Sequence, residues 1–204
     1  LRIIKQYYPN IERVSSYATA GDINRKSIEE LRQLKENGLE MLYIGFESGD
    51  DEILKDVQKG LTTKDYIEAM AKCKEVGLKT SITIIAGLGG VDKMEQNAIG
   101  TAKIITQTNP DFVGYLTMRI YKNTPLYKDY LSGKFKMPNA EEILQEMKIF
   151  LENVDSPNTV FRSNHASNYI LLAGTLNEDK KALIEAIEKT LKKKNFVPEA
   201  MRGF

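Results

Sequence analysis

The tetrapeptides Asn37-Gly38-Leu39-Glu40 and Val76-Gly77-Leu78-Lys79 stand 39 residues apart and do the same thing twice. Each closes a helical stripe on a glycine and opens an apolar run that ends in a glycine-bearing loop. Glycine suits such a junction because the residue after a helix often takes a left-handed conformation that a side chain disfavours. Ahead of the first junction, Ser27 and Glu30 have capping-box spacing, and Ile28, Leu31 and Leu34 keep a helical stripe. Ahead of the second, Thr62 and Asp65 open a stripe through Tyr66, Ile67, Met70, Cys73 and Val76. Repetition of helix, glycine, strand and loop at this spacing is what successive βα units of a barrel or a doubly wound sheet produce.

The run Met41 to Phe46 is apolar on both parities, which predicts a strand covered on both faces. Polarity then flips: Glu47, Ser48, Gly49, Asp50 and Asp51 arrive together, ahead of a short helix from Asp51 to Lys59 that Gly60 stops. Ligands of parallel α/β folds bind at the carboxyl ends of strands, so chemistry is expected at this turn. Three further strands are predicted: Glu12 to Ala18, after a helix that Pro9 breaks; Lys79 to Ala86, ending in Gly87-Leu88-Gly89-Gly90; and Phe112 to Ile120, after a helix over 94–106. Thr19 to Asn24 and Asn123 to Tyr127 read as loops.

Beyond residue 135 the rhythm changes. Asn139 caps a helix over 140–153, the polar segment 159–168 shows no clear period, and Glu178 to Lys193 is amphipathic. The expectation is an α/β fold: a partial TIM-like barrel over 1–135, built on a parallel sheet of about four strands with outer helices, and a helical C-terminal extension over 136–204. A closed barrel typically takes roughly 250 residues, so this one is partial, and its exposed strand edges are liable to pair with another chain as an edge-to-edge dimer.

Lysine and arginine number 29 against 28 acidic residues, so no strong field draws the protein to nucleic acid or an anionic membrane. The one basic run, Lys192 to Lys194, falls at a helix C-terminus, where cations are favoured. No apolar stretch approaches the roughly 20 residues that cross a bilayer, and no signal segment opens the sequence; a cytoplasmic location is the expectation. Cys73 is the single cysteine, which excludes an internal disulfide or a multi-thiolate metal site. The sequence begins without methionine inside a helical pattern, Leu1 to Tyr8, and is expected to be part of something longer.

From Gly45 to Gly60 the sequence GFESGDDEILKDVQKG resembles the radical S-adenosylmethionine superfamily, whose fourth barrel strand commonly ends G-x-E-S-G-S-D and runs into a helix closing near a basic residue and glycine. Ile82 to Gly90 is similar to the fifth strand's G-x-I-x-G-x-x-E: Ile85 and Gly87 match, while Thr83 and Gly90 replace the first glycine and the glutamate. Tyr121 to Leu126 resembles the P-G-T-P-L loop after strand six. The likeness covers residues 10 to 130, and the later segment 161–168 resembles one found in members labelled iron-sulfur oxidoreductases, some by analogy to coproporphyrinogen oxidase.

The resemblance implies S-adenosylmethionine and a [4Fe–4S] cluster in the parent protein, with a small-molecule cosubstrate and a further substrate. Yet the C-x-x-x-C-x-x-C loop that holds the cluster is absent, and three thiolates are needed. The simplest reconciliation is that the cluster loop lies ahead of Leu1. On this likeness Glu47 meets the cosubstrate ribose and Lys59 its carboxylate, Gly87, Gly89 and Gly90 let the backbone approach the adenine, and Ile85 counts among the cofactor-binding residues. The plainer readings are a helix N-terminal acid for Glu47, a solvated helix-end lysine for Lys59 and a tight turn for the glycines. Ser48 either assists the site or caps the helix. Tyr17, Arg119 and the lone His165 are pocket candidates or ordinary packing and surface residues. Two other classes compete: a phosphate-binding barrel aldolase or isomerase, with the glycine loop as cradle and Lys79 or Glu47 as acid-base groups, and a non-enzymatic α/β binding module.

Overall fold

The computed structural model describes residues 1–203, apart from the side chain of Lys5. In chain order the elements are α1 (Arg2–Tyr7), β1 (Val14–Ala18), α2 (Ala20–Asn24), α3 (Ile28–Glu36), β2 (Leu39–Glu47), α4 (Asp51–Asp56), α5 (Thr63–Glu75), β3 (Lys79–Ala86), α6 (Met94–Thr108), β4 (Phe112–Thr117), α7 (Pro125–Leu131), α8 (Ala140–Asn153), β5 (Val160–Arg162), β6 (Ala173–Thr175) and α9 (Lys180–Lys193). They form an α/β fold around one mostly parallel sheet, ordered β1-β2-β3-β4-β5-β6. Every adjacent pair from β1 to β5 is parallel, and β6 runs antiparallel to β5.

Local chemistry accounts for the regular part. The capping boxes of Ser27 with Glu30, Thr62 with Asp65 and Asn139 with Glu142 all form, each satisfying amides that the first helical turn leaves open. Gly38 and Gly77 adopt φ of 101° and 71° at the two repeated junctions, and the leucine after each is buried. Four strands were expected where six are found: β5 arises in the segment without a period, and β6 between that segment and the final helix. Each is 3 residues long, too short to display an alternation, and is held only by pairing with its neighbours. Two predicted loops also contain helices: α2, capped by Thr19, and α7, capped by Thr124 with Pro125 in its first turn.

One face of the sheet carries the core. Leu42, Ile44 and Phe46 of β2, Ile82 and Ile84 of β3 and Val113 and Tyr115 of β4 pack with α5, α6 and α8. Phe46 stacks on Tyr66 at 4.1 Å, and the Tyr66 hydroxyl donates to the Phe46 carbonyl at 2.7 Å. The same cluster continues through Phe150, Phe161, Leu176, Leu183 and Ile187, so the later elements share one core with the first strands. The other face differs from the expectation of a doubly covered strand: Tyr43, Gly45, Thr83 and Gly114 are only half-buried. The run looks uniformly apolar because tyrosine and glycine occupy that more open face. Among the described residues no helix is long and apolar enough to cross a membrane.

Candidate functional site at the carboxyl rim of the sheet

Glu47 ends β2 where the register against β3 slips between Gly45 and Glu47. It takes φ of 68°, a left-handed conformation that costs a non-glycine residue energy. Its carboxylate turns toward the chain leaving α4, and Lys59 Nζ donates to Glu47 Oε1 at 2.9 Å. Lys59 is brought there by a turn with Gln58 at φ 56° and Gly60 at φ 72°, pinned as its amide donates to the Leu54 carbonyl. Room for the pair exists because residue 45 lacks a side chain: a Cβ there would overlap Glu47 Oε1 and come within 3.4 Å of Lys59 Nζ. The bond occupies one carboxylate oxygen and one of the three ammonium hydrogens.

Ser48 turns inward. Fully buried, it donates from Oγ to Asn97 Oδ1 at 2.6 Å and accepts from the Asp50 amide at 3.1 Å. The helix cap predicted for it belongs to Asp50, whose carboxylate accepts from the Glu52 and Ile53 amides at 3.0 Å each. Between them Gly49 lies against Gly100 of α6, and its amide donates to Thr101 Oγ1 at 3.0 Å.

The network extends to the second turn. Asn97 Nδ2 donates to the Ile85 carbonyl at 3.2 Å and to Glu146 Oε1 at 2.6 Å, and Glu146 Oε2 accepts from the Gly87 amide at 2.9 Å. Lodging Asn97 Nδ2 between two acceptors fixes which way that amide points. Burial pushes the Glu146 carboxyl up to about 7, against the opposing pull of the Asn97 and Gly87 hydrogen bonds. Neither Asn97 nor Glu146 was singled out from the sequence. The available signal was a polar residue inside an apolar helical stripe: Glu146 among Ile143, Met147 and Phe150, and Asn97 one turn before Thr101 and two before Ile104.

Ile85 lines a cleft of about 670 Å³ at the carboxyl ends of β3 and β4, together with Leu88, Leu116, Met118 and Leu126. Gly89 lines a neighbouring cleft of about 310 Å³. The glycines of this turn approach the protein itself: a Cβ on Gly87 would meet Ile143 Cδ1 at 2.9 Å, one on Gly89 Ile53 Cδ1 at 2.9 Å, and one on Gly90 Phe135 Cε2 at 3.0 Å. The Gly87 amide is given to the buried Glu146 carboxylate and so is not offered to a phosphate. Lys79 opens β3 and so lies at the opposite end of the strand from this rim.

Arg119 lines the larger cleft and donates to the Arg202 carbonyl at 3.1 Å. His165 engages Ser167: its Nδ1 accepts from the Ser167 amide at 3.2 Å and lies 2.9 Å from Ser167 Oγ. Tyr17 stands apart on β1, 88% exposed, its ring 5.4 Å from that of Tyr43. Thus Glu47 and Lys59 meet directly, Ser48 and Gly87 are joined through Asn97 and Glu146, and Ile85 and Gly89 face two adjacent clefts.

Residues 1–99 match the family model of the radical SAM superfamily. The match covers just under half of the chain. The tRNA uridine(34) acetyltransferase of Methanocaldococcus infernus is 29% identical over 121 residues, a match spanning 58% of this chain and 22% of that protein. Among solved structures, the Methanocaldococcus infernus Elp3 with an N-terminal deletion superposes with a TM-score of 0.62 at 21% identity, covering 91% of this chain and 42% of that one. Coproporphyrinogen III oxidase (HemN) from Escherichia coli gives 0.54 at 20% identity, covering 74% and 36%. The chain therefore spans less than half of each of these proteins, and the two structural likenesses are likenesses of fold.

Members of the radical SAM superfamily are enzymes that in general use S-adenosylmethionine with a [4Fe–4S] cluster. The residues present do not fit the cluster. Cys73 is completely buried, burial pushes its thiol up to about 12, and among the described residues no group of three or more His, Cys, Asp or Glu could hold a metal. At the rim a carboxylate and an ammonium stand side by side at the end of β2, with apolar Ile85 one residue beyond Glu47's pairing partner Ile84 on β3.

Proposed function

We propose that this chain forms the cosubstrate-facing wall of a radical SAM enzyme, with the cluster ligands supplied from outside these 204 residues, and that it is catalytically inactive by itself. The observation that carries the reading is the Glu47–Lys59 pair, half-shielded on the rim of a radical SAM domain. Glu47 accepts from the vicinal hydroxyls of the ribose with its second oxygen, a charge-assisted geometry. Lys59 gives its remaining hydrogens to the cosubstrate carboxylate, and its contact with Glu47 keeps both groups in place before the ligand arrives. Ile85 offers the apolar surface against which the adenine lies. This chain's own residues bind and orient the cosubstrate and exclude water.

Calorimetric titration of the chain with S-adenosylhomocysteine tests this. Saturable binding, weakened about tenfold or more by Glu47→Ala and by Lys59→Ala, supports the reading. A flat titration of the folded wild-type chain overturns it.

A further inference from the structure

A carboxylate in the middle of a helix–sheet contact needs a reason. Glu146 lies on α8 between Ile143, Met147 and Phe150, and its side chain is 1% exposed. The elements packed around it present Ile84, Ile85 and Gly87 from β3 and its turn, Asn97, Ala98 and Thr101 from α6, and Tyr115 from β4. No cation is among them, and the Tyr115 hydroxyl, pushed well up by burial, stays neutral. Only a gap of about 10 Å³ adjoins these groups, space for a single water at most. If α8 served only to cover the sheet, an apolar residue would pack here at lower cost, since an unpaired buried charge is expensive.

What the carboxylate provides is two acceptors at once. One oxygen takes the Gly87 amide and the other takes Asn97 Nδ2, while Asn97 Oδ1 takes the Ser48 hydroxyl. One charge thereby ties the turn after β3 to the turn after β2, the two turns that flank the rim. Both bonds run from N–H donors into the carboxylate, so the geometry belongs to the ionised form. A proton taken from solvent onto either oxygen turns that oxygen into a donor and leaves one N–H facing it without an acceptor.

We propose that Glu146 is a positioning residue for the carboxyl rim: its carboxylate holds the Gly87 turn in register with Ser48, and its protonation releases that turn. The consequence for nucleoside affinity rests on the function proposed above; the tie between the turns does not. The elevated carboxyl, at about 7, puts the change within the range where the protein can be handled.

The test is amide NMR of the full chain between about pH 5 and about pH 9, following the Gly87 amide, the Asn97 side-chain amide and the Glu146 carboxyl carbon. The expected result is a shared midpoint near 7 for all three, which disappears from the two amides in Glu146→Gln. Affinity for S-adenosylhomocysteine is expected to fall about tenfold one pH unit below that midpoint in the wild type and to stay constant in the variant. A Gly87 amide that does not move with the Glu146 carboxyl overturns the proposal, even if the ligand binds. Should Glu146→Gln fail to fold, the coincidence or disagreement of the three wild-type midpoints decides by itself. Coincident midpoints with no ligand affinity at any pH sustain the tie between the turns and overturn the nucleoside-binding function instead.

Discussion

The Lys59 ammonium reaches back across 12 residues to lie 2.9 Å from Glu47 Oε1, in a space that exists because residue 45 is glycine. Gly45→Ala is therefore a way to move the Glu47 carboxylate without altering it. The displaced atom is the tip of a flexible side chain, so stability should change by no more than about 1 kcal/mol, in line with a partly exposed ion pair. Affinity for S-adenosylhomocysteine should nonetheless drop as far as in Glu47→Ala. Urea unfolding beside calorimetry separates the two effects.

Gly49 and Gly100 are not interchangeable partners. A Cβ on Gly49 would overlap the Gly100 carbonyl, which belongs to the backbone of α6 and has no side-chain freedom with which to retreat. Gly49→Ala should cost about 3 kcal/mol. A Cβ on Gly100 would stand 3.0 Å from the Gly49 carbonyl, and alanine regains about 1 kcal/mol of helix propensity, so Gly100→Ala should cost less than about 1 kcal/mol. The two urea midpoints should fall in that order.

Cys73 should behave as a small hydrophobe. Its thiol is raised to about 12 and completely buried, so a thiol reagent should leave it unmodified in the native chain and react fully once the chain is unfolded. Anaerobic incubation of the folded chain with iron and sulfide should yield no thiolate-to-iron absorption.

Stability should carry the signature of Glu146 with an inverted sign for a carboxylate. Its folded value, about 7, exceeds the ordinary 4.5, so between those limits the native state holds a proton that the unfolded chain has released. That contribution is complete in acid and is lost as pH rises from 4.5 to about 7, by about 3 kcal/mol at most. The capping carboxylates Asp22, Glu30 and Asp65 are shifted down and act oppositely, stabilising above their unfolded values and losing that effect in acid. They are common to the wild type and Glu146→Gln, so the difference between the two, measured by urea unfolding at several pH values, isolates residue 146.

Elements marked by local chemistry were legible before the structure. The Ser27, Thr62 and Asn139 caps and the glycines at 38 and 77 located α3, α5, α8, β2 and β3, because each signal acts within a few residues of itself. Thr19 and Asp22 carry the same spacing and do cap α2; its five helical residues were too few to show a stripe. β5 and β6 were illegible for a different reason, since three-residue strands are created by the partners that pair with them. At the rim, Glu47 and Lys59 could be named from a family pattern, but their mutual contact depends on a left-handed residue and a register slip that no local preference announces. Glu146 stayed hidden because a single glutamate in a helix normally counts as part of the solvated face.

The two margins of the sheet have different grammars. At one, the last neighbour runs backwards; at the other, β1 pairs with β2 alone among the described residues. A strand added there in the common sense would finish level with Ala18, and whatever loop it carried would emerge on the same side as Glu47. One added in the opposite sense would deliver its loop to the far side, beside Lys79. Direction of accretion at Val14–Ala18 thus decides which loops can ever share a site with the Glu47–Lys59 pair.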